Sequence, residues 1–279
     1  MKTLNKTLIA MALAATLPSA ALAADAPLLD VLFSPTAAGG VGGNFVFDEI
    51  VMSSVGTSTL TLTDANNDGV VGGDTFVETG TVFGVGFKFD GASVPAGVSR
   101  LTVDYELYAV FDPARIAGTG LSGSANVVGP NLVAIFNASS AAAIVFDTVV
   151  DGLYSGGSTI AQLTMGSGNC VLTPALGGTF AEGSCGLSFA FDAAGVSAPG
   201  VWTRSGTDVG DLDLSLSLNV DVDSITPAIT PVYAGGPGSS QVVKIIHDGS
   251  TAFVPEPASL ALLGIGLLGM GASLRRRAA

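Results

Sequence analysis

Basic residues are scarce in this 279-residue chain: ten Lys and Arg together and one His, against 23 Asp and Glu. Half of those bases sit at the two ends, as Lys2, Lys6, Arg275, Arg276 and Arg277. Between them the segment 24–253 keeps 22 acids and five bases, a net charge near −17. A field of that sign disfavours nucleic acid and anionic membrane surfaces, and suits solubility or divalent cations. A lone histidine, His247, leaves no partnered Ser-His arrangement and no His-rich metal set. The two cysteines form no Cys-x-x-Cys, so a zinc site lacks its ligands. One Trp and four Tyr are few for the stacking platforms of a sugar-cleaving enzyme. No phosphate-binding glycine loop of the right form occurs. Runs of Glu, Lys, Gln and Arg are missing from 24–253, which argues against an α-rich body. Together these absences point to a protein that is not an enzyme.

What the chain does have is glycine, 38 of them, among Ser, Thr, Ala, Val and Leu. That mixture suits many short strands joined by Gly-rich turns. Leu212, Leu214, Leu216, Leu218, Val220 and Val222 alternate with Asp211, Asp213, Ser215, Ser217, Asn219 and Asp221, a strong period-2 signal. Leu101–Phe111 alternates in the same way. Shorter candidates are 44–51, 57–63, 75–89, 132–136, 143–146, 159–163, 187–191 and 241–246. An all-β fold follows, as an antiparallel β-sandwich or jelly roll with one apolar face per strand, and the pattern does not separate a sandwich from a barrel. Residues 224–240, rich in Pro and Gly, read as a long loop, and 247–253 as a short spacer. His247 then reads as an exposed spacer residue, and Asp211, Asp213, Asp221 and Asp223 as a solvated strand face.

Each end of the chain carries a transport segment. Lys2 and Lys6 precede the apolar run Leu8–Leu17 and the small-residue site Ala21-Leu22-Ala23, the pattern of a signal peptide removed after residue 23. At the other end Pro255-Glu256-Pro257 precedes an uncharged apolar run, Ala258–Leu274, and then Arg275-Arg276-Arg277. About 17 apolar residues is the short limit for a transmembrane helix, and the arginines place its end in the cytoplasm. Two prolines keep the triplet extended just outside the membrane. The domain plan is therefore 1–23 leader, 24–253 exported β-rich body and 254–279 tail.

The order of triplet, single span and basic stop over 254–279 resembles the PEP-CTERM sorting signal of Gram-negative bacteria. The resemblance implies that an exosortase, a membrane cysteine protease-transpeptidase, recognises Pro255, Glu256 and Pro257. It also implies an inner-membrane intermediate that is later processed to the outer surface or matrix.

Cys170 and Cys185, an even count in an exported chain, are expected to form a disulfide. They would staple a Gly- and Pro-rich loop over 172–184. Asp64, Asn66, Asp68 and Gly69 follow the spacing of the first half of a calcium loop, with Asp74 one position short of its closing carboxylate. A plain turn using Asn-Asp-Gly for its positive φ angles reads the same residues, so calcium remains a candidate cofactor beside that simpler reading.

The body is also similar to flocculation-associated PEP-CTERM proteins. The segments that carry this are Asn44-Phe45-Val46-Phe47-Asp48-Glu49, the turn from Asp64 to Glu78, Tyr105–Phe111, the cysteine pair and Asp211-Leu212-Asp213-Leu214. That similarity implies a secreted, non-enzymatic protein that acts with exopolysaccharide in cell aggregation and biofilm matrix. The alternative is a carbohydrate-binding surface module held by an uncleaved tail, which would need exposed aromatics around Trp202, or around Tyr105, Tyr108 and Tyr154.

Overall fold

A computed structural model describes residues 29–53, 57–152, 156–191, 198–212 and 214–255. The expected leader and the apolar tail lie outside the described residues, as do Glu256, Pro257 and Arg275–Arg277. Among the described residues no helix is long and apolar enough to cross a membrane.

Strands make up 61% of the structure and helix 6%, so the α-poor reading holds. The strands are β1 (Val31–Phe33), β2 (Phe45–Phe47), β3 (Glu49–Ser53), β4 (Thr57–Thr63), β5 (Asp74–Phe89), β6 (Ala92–Ser93), β7 (Glu106–Val110) and β8 (Leu121–Val128). They continue with β9 (Asn131–Phe136), β10 (Ala141–Asp147), β11 (Ser158–Pro174), β12 (Phe180–Phe191), β13 (Trp202–Arg204), β14 (Thr207–Asp208), β15 (Leu214–Thr226) and β16 (Ser240–Pro255).

The pairing departs from a two-sheet sandwich or jelly roll, because the main sheet closes on itself. Its long strands change partners half-way. The first half of β5 pairs with β4 and β8, and the second half with β7 and β3. β11 pairs first with β10 and then with β9, and with β12 from Leu163 onward. β16 pairs with β4 up to Ile246 and with β3 from Gly249. One end is thus the ring β4-β5-β8-β9-β11-β12-β15-β16, and the other is β3-β5-β7-β10-β11-β12-β15-β16. Eight strands around each end enclose an interior that side chains nearly fill, and closure removes the exposed edges that invite aggregation. The switch in β16 needs Gly249: a Cβ there would lie 2.2 Å from the Asn219 carbonyl oxygen.

A four-stranded sheet, β14-β13-β1-β2, packs its aromatic residues into the same core. Phe33 is fully buried and sits 5.5 Å from Phe45, 5.6 Å from Phe87 and 6.2 Å from Trp202 between ring centroids. Such tilted and edge-on pairs add to the area they bury.

The alternation read in 211–222 holds from Leu214 onward. Leu214, Leu216, Val220 and Val222 are buried, while Asn219, Asp221 and Asp223 face solvent. The strand starts three residues later than expected because Val209–Asp211 forms a 3-10 turn, capped by the Asp208 carboxylate accepting from the Gly210 N–H. Ser215 and Ser217 are buried as well, where Thr251 Oγ1 donates to the Ser217 carbonyl at 3.0 Å. The strand expected over 101–111 shortens to β7, since 101–105 turn with Arg100 and Thr102 at positive φ. All five β7 residues are buried, so neither face is solvated. Phe83, Tyr108, Val110 and Val145 form a second small core on its far side.

The cysteines are bonded, and they lie directly opposite each other in the β11–β12 ladder, with Cα atoms 4.0 Å apart. The stretch 172–184 is therefore mostly paired backbone, with its turn near 175–179, and not the loose loop expected from its glycines and prolines. The bond closes a 15-residue separation. The C170A/C185A variant is expected to lose about 3 kcal/mol of unfolding free energy, read from urea denaturation against the oxidised protein. A loss near zero would mean that the hairpin already restricts the unfolded chain.

Candidate functional site

Period 2 in three neighbouring strands turns one polar residue from each into the barrel. Ser58 shares a face with Leu60 and Leu62 in β4, Glu78 follows Phe76 in β5, and His247 follows Val243 and Ile245 in β16. All three are buried, with Ser58 fully so. Ser58 Oγ donates to Glu78 Oε1 at 2.5 Å. His247 Nε2 lies 2.6 Å from the same carboxylate oxygen and 3.0 Å from Ser58 Oγ. Because the serine proton goes to Glu78, Nε2 carries a hydrogen shared between the two oxygens. Burial alone would raise the Glu78 pKa, but the His247 charge and the two hydrogen bonds outweigh it and hold the carboxyl below its ordinary value.

The trio contains the residue types of a hydrolytic triad without its connectivity. In a working triad the base binds nucleophile and carboxylate through different ring nitrogens. Here both occupy Nε2, and Nδ1 has no hydrogen-bond partner among the described residues. Ser58 directs its proton to a carboxylate and has no exposure, so it is not an activated nucleophile. The arrangement is instead a buried, hydrogen-bonded trio joining β4, β5 and β16. It corrects the reading of His247 as an exposed spacer residue and of 247–253 as a spacer, since both belong to β16. The continuing alternation Val243, Ile245, His247 was the signal that could have revealed it.

The structure brings Asp64, Asn66, Asp68 and Asp74 into one loop, but it commits their oxygens to the protein. Asp64 accepts from the N–H groups of Asp68, Gly69 and Gly238 at 2.9 to 3.2 Å. Asp74 accepts from Ala65 N–H, Gly72 N–H and, at 2.8 Å, the Tyr233 hydroxyl. Asp68 accepts from Val70 N–H and from the Asn66 amide, which also donates to the Gly72 carbonyl. Burial works to raise the Asp64 pKa, yet the backbone donors, Gly238 foremost, bring it below the usual carboxylate value. Among the described residues no three acidic, His or Cys side chains are grouped to hold a metal. This donor-rich geometry holds the loop through the protein's own groups. It fits a turn with Asn67 at φ 62° and Gly69 at φ 79°, which pins the 224–240 excursion through Gly238 and Tyr233. Millimolar calcium is accordingly expected to leave the melting temperature unchanged, while Asp64→Ala lowers it; a calcium-dependent rise in the wild type, absent in the variant, would overturn that reading.

Trp202, Tyr105 and Tyr108 are 3%, 0% and 3% exposed. Tyr105 stacks on Phe146 and donates to the Ser99 carbonyl, and Tyr108 donates to Glu106. These three rings therefore offer no platform to a sugar. Tyr154 lies outside the described residues. Asp221 and Asp223 are solvated as expected, whereas Asp211 sits in the 3-10 turn and Asp213 is outside the described residues.

Strand β16 ends at Pro255, the first residue of the Pro-Glu-Pro triplet. The strand keeps Thr251, Ala252, Phe253 and Val254 buried, and the Phe253 carbonyl accepts from Leu29 N–H at 3.1 Å. A family model described as the PEP-CTERM protein-sorting motif matches residues 253–277. The comparisons with curated proteins and with solved structures give no match. The chain thus carries a PEP-CTERM sorting motif, the mark of an exported protein that passes by way of the membrane with exosortase as its processing partner.

Proposed function

We propose that this chain is an exported, non-enzymatic matrix protein: a closed acidic β-barrel that exosortase releases or transfers at its C-terminus and that then acts among extracellular polysaccharide. The observation that carries the proposal is the matched sorting motif over 253–277, whose first residues belong to the last barrel strand. Closure suits an extracellular role, because a barrel has no open strand edges to pair with neighbours in a crowded matrix. The strongly acidic body keeps copies apart and favours contact with neutral or cation-bridged polymers over anionic ones. The similarity of the body segments to flocculation-associated proteins extends this reading to cell aggregation.

The test is the intact mass of the protein recovered from the culture matrix, with peptide mapping of its C-terminus. The expected product begins after Ala23, retains β16 and lacks the apolar run 258–274. Recovery of Arg275–Ala279 in a membrane fraction, with none in the matrix, would sink the processed-matrix proposal and leave an anchored surface protein.

A further inference from the structure

A cavity of about 60 Å³ lies at the waist of the barrel, where the two rings meet. Leu121 and Phe136 reach it from strands of one ring only, and Ile50, Leu107 and Ala142 from strands of the other. The partner changes fall at this level. β5 leaves β8 after Glu78 and meets β7 from Thr81, and β16 leaves β4 after Ile246 and meets β3 from Gly249. Where strands diverge toward new partners the wall widens, and Ala109 and Ala142 turn only short side chains into the gap.

The polar groups on this wall are already engaged. Glu78 and His247 bond each other and Ser58, Tyr108 Oη donates to Glu106, and Thr251 Oγ1 donates to the Ser217 carbonyl. Nδ1 of His247 is closed off from the cavity. Among the described residues the wall thus offers a guest no free N–H or O–H. A polar guest would give up its water without replacement, and water itself needs about two to four polar partners in such a place. An empty apolar void forfeits dispersion contacts along its lining, and an apolar guest of matching size restores them. Met52 and the Cys170–Cys185 disulfide add polarizable sulfur to that lining.

We propose that the waist of the barrel is a binding site for one small hydrocarbon of about three to five carbon atoms. The size follows from the volume, which equals roughly four or five water-sized groups. The class follows from the wall, which rewards apolar contact and supplies no donor. Sugars and long acyl chains are too large, and ions find no hydration. This inference does not rest on the sorting and matrix reading, and the two fail separately.

Methionine methyl groups report the site. Met52 lines the cavity, whereas Met165 is buried outside its lining. The full chain in nanodiscs, labelled with 13C at the methionine methyls, would be titrated with propane under pressure. Propane dissolved in the bilayer moves a methyl in proportion to pressure, whereas a filled site saturates. A saturable shift of Met52 is expected, with none at Met165. Ala142→Leu fills most of the cavity and should weaken the Met52 response by about tenfold or more. Ala109→Val, a smaller addition on the neighbouring strand, serves if the leucine variant does not fold. No saturable shift at Met52 would overturn the site, as would equal titrations in the wild type and the cavity-filling variant. Tighter binding of 1-propanol than of propane would overturn the hydrocarbon class, because the Glu78 carboxylate would then be the contact.

Discussion

Glu78→Leu is expected to be among the most damaging single substitutions in the barrel, lowering the unfolding free energy by about 3–5 kcal/mol. The loss arises less from the missing carboxylate than from what remains: His247 and Ser58, buried without the carboxylate both bonded and left only with each other. The double variant Glu78→Leu/His247→Leu removes both buried polar partners and is expected to recover most of that loss, as apolar replacement of a buried polar pair commonly does. A double variant as unstable as the single one would mean that the trio holds the three strands in register beyond its charge balance. The pair also predicts an acid dependence. The folded-state pKa of Glu78 is depressed below its ordinary value of 4.5, so its contribution is complete above that value and is lost as pH falls through the lower folded value. Stability measured against pH should therefore fall more steeply below about pH 4.5 in the wild type than in the double variant. Parallel curves would show that Glu78 adds nothing to the acid limb.

The contrast between β15 and β16 shows which parts of this fold are legible from sequence. In β15 the alternation Leu214, Leu216, Leu218, Val220, Val222 uses residues of unmistakable polarity, and the strand stands nearly where the pattern puts it. In β16 the pattern Val243, Ile245, His247 breaks at a polar residue, and the chemical character of His247 hides that it keeps the inward phase. The period was present and its third member had the wrong polarity, because Glu78 and Ser58 on strands distant in sequence compensate it. Barrel closure is illegible for a related reason. It depends on β5, β11 and β16 changing partners half-way, and a strand's own residues do not encode its neighbour on either side. β7 was misread because its outer face lies under Phe83 and Val145 from other strands, so a half-solvated pattern became fully buried. The Asp64 loop was located correctly by its spacing, but its chemistry turned on Gly238 and Tyr233, far along the chain. The sorting motif, by contrast, is local and linear, and it was readable in full.

Phe253→Ala is expected to cost about 3–5 kcal/mol of stability, and the value of that loss lies in where the residue sits. Phe253 has no exposed surface. Its ring lies 5.5 Å from Trp202, 5.6 Å from a stacked Phe191 and 5.8 Å from Phe47, so truncation opens a void among three rings. The same residue is the first position of the matched sorting motif. Folding and sorting therefore overlap at Phe253 and Val254, and a defect in either could follow from the alanine variant. Phe253→Leu separates them, since an aliphatic side chain refills much of the space at a cost of about 1.5 kcal/mol. If the barrel alone needs Phe253, the leucine variant should fold and be processed like the wild type. If processing fails while its urea midpoint stays close to wild type, the sorting machinery itself reads Phe253. The first outcome is expected, because a side chain sealed among Phe47, Phe191 and Trp202 offers a membrane enzyme nothing to grip, and recognition must then begin no earlier than Pro255, where strand β16 ends.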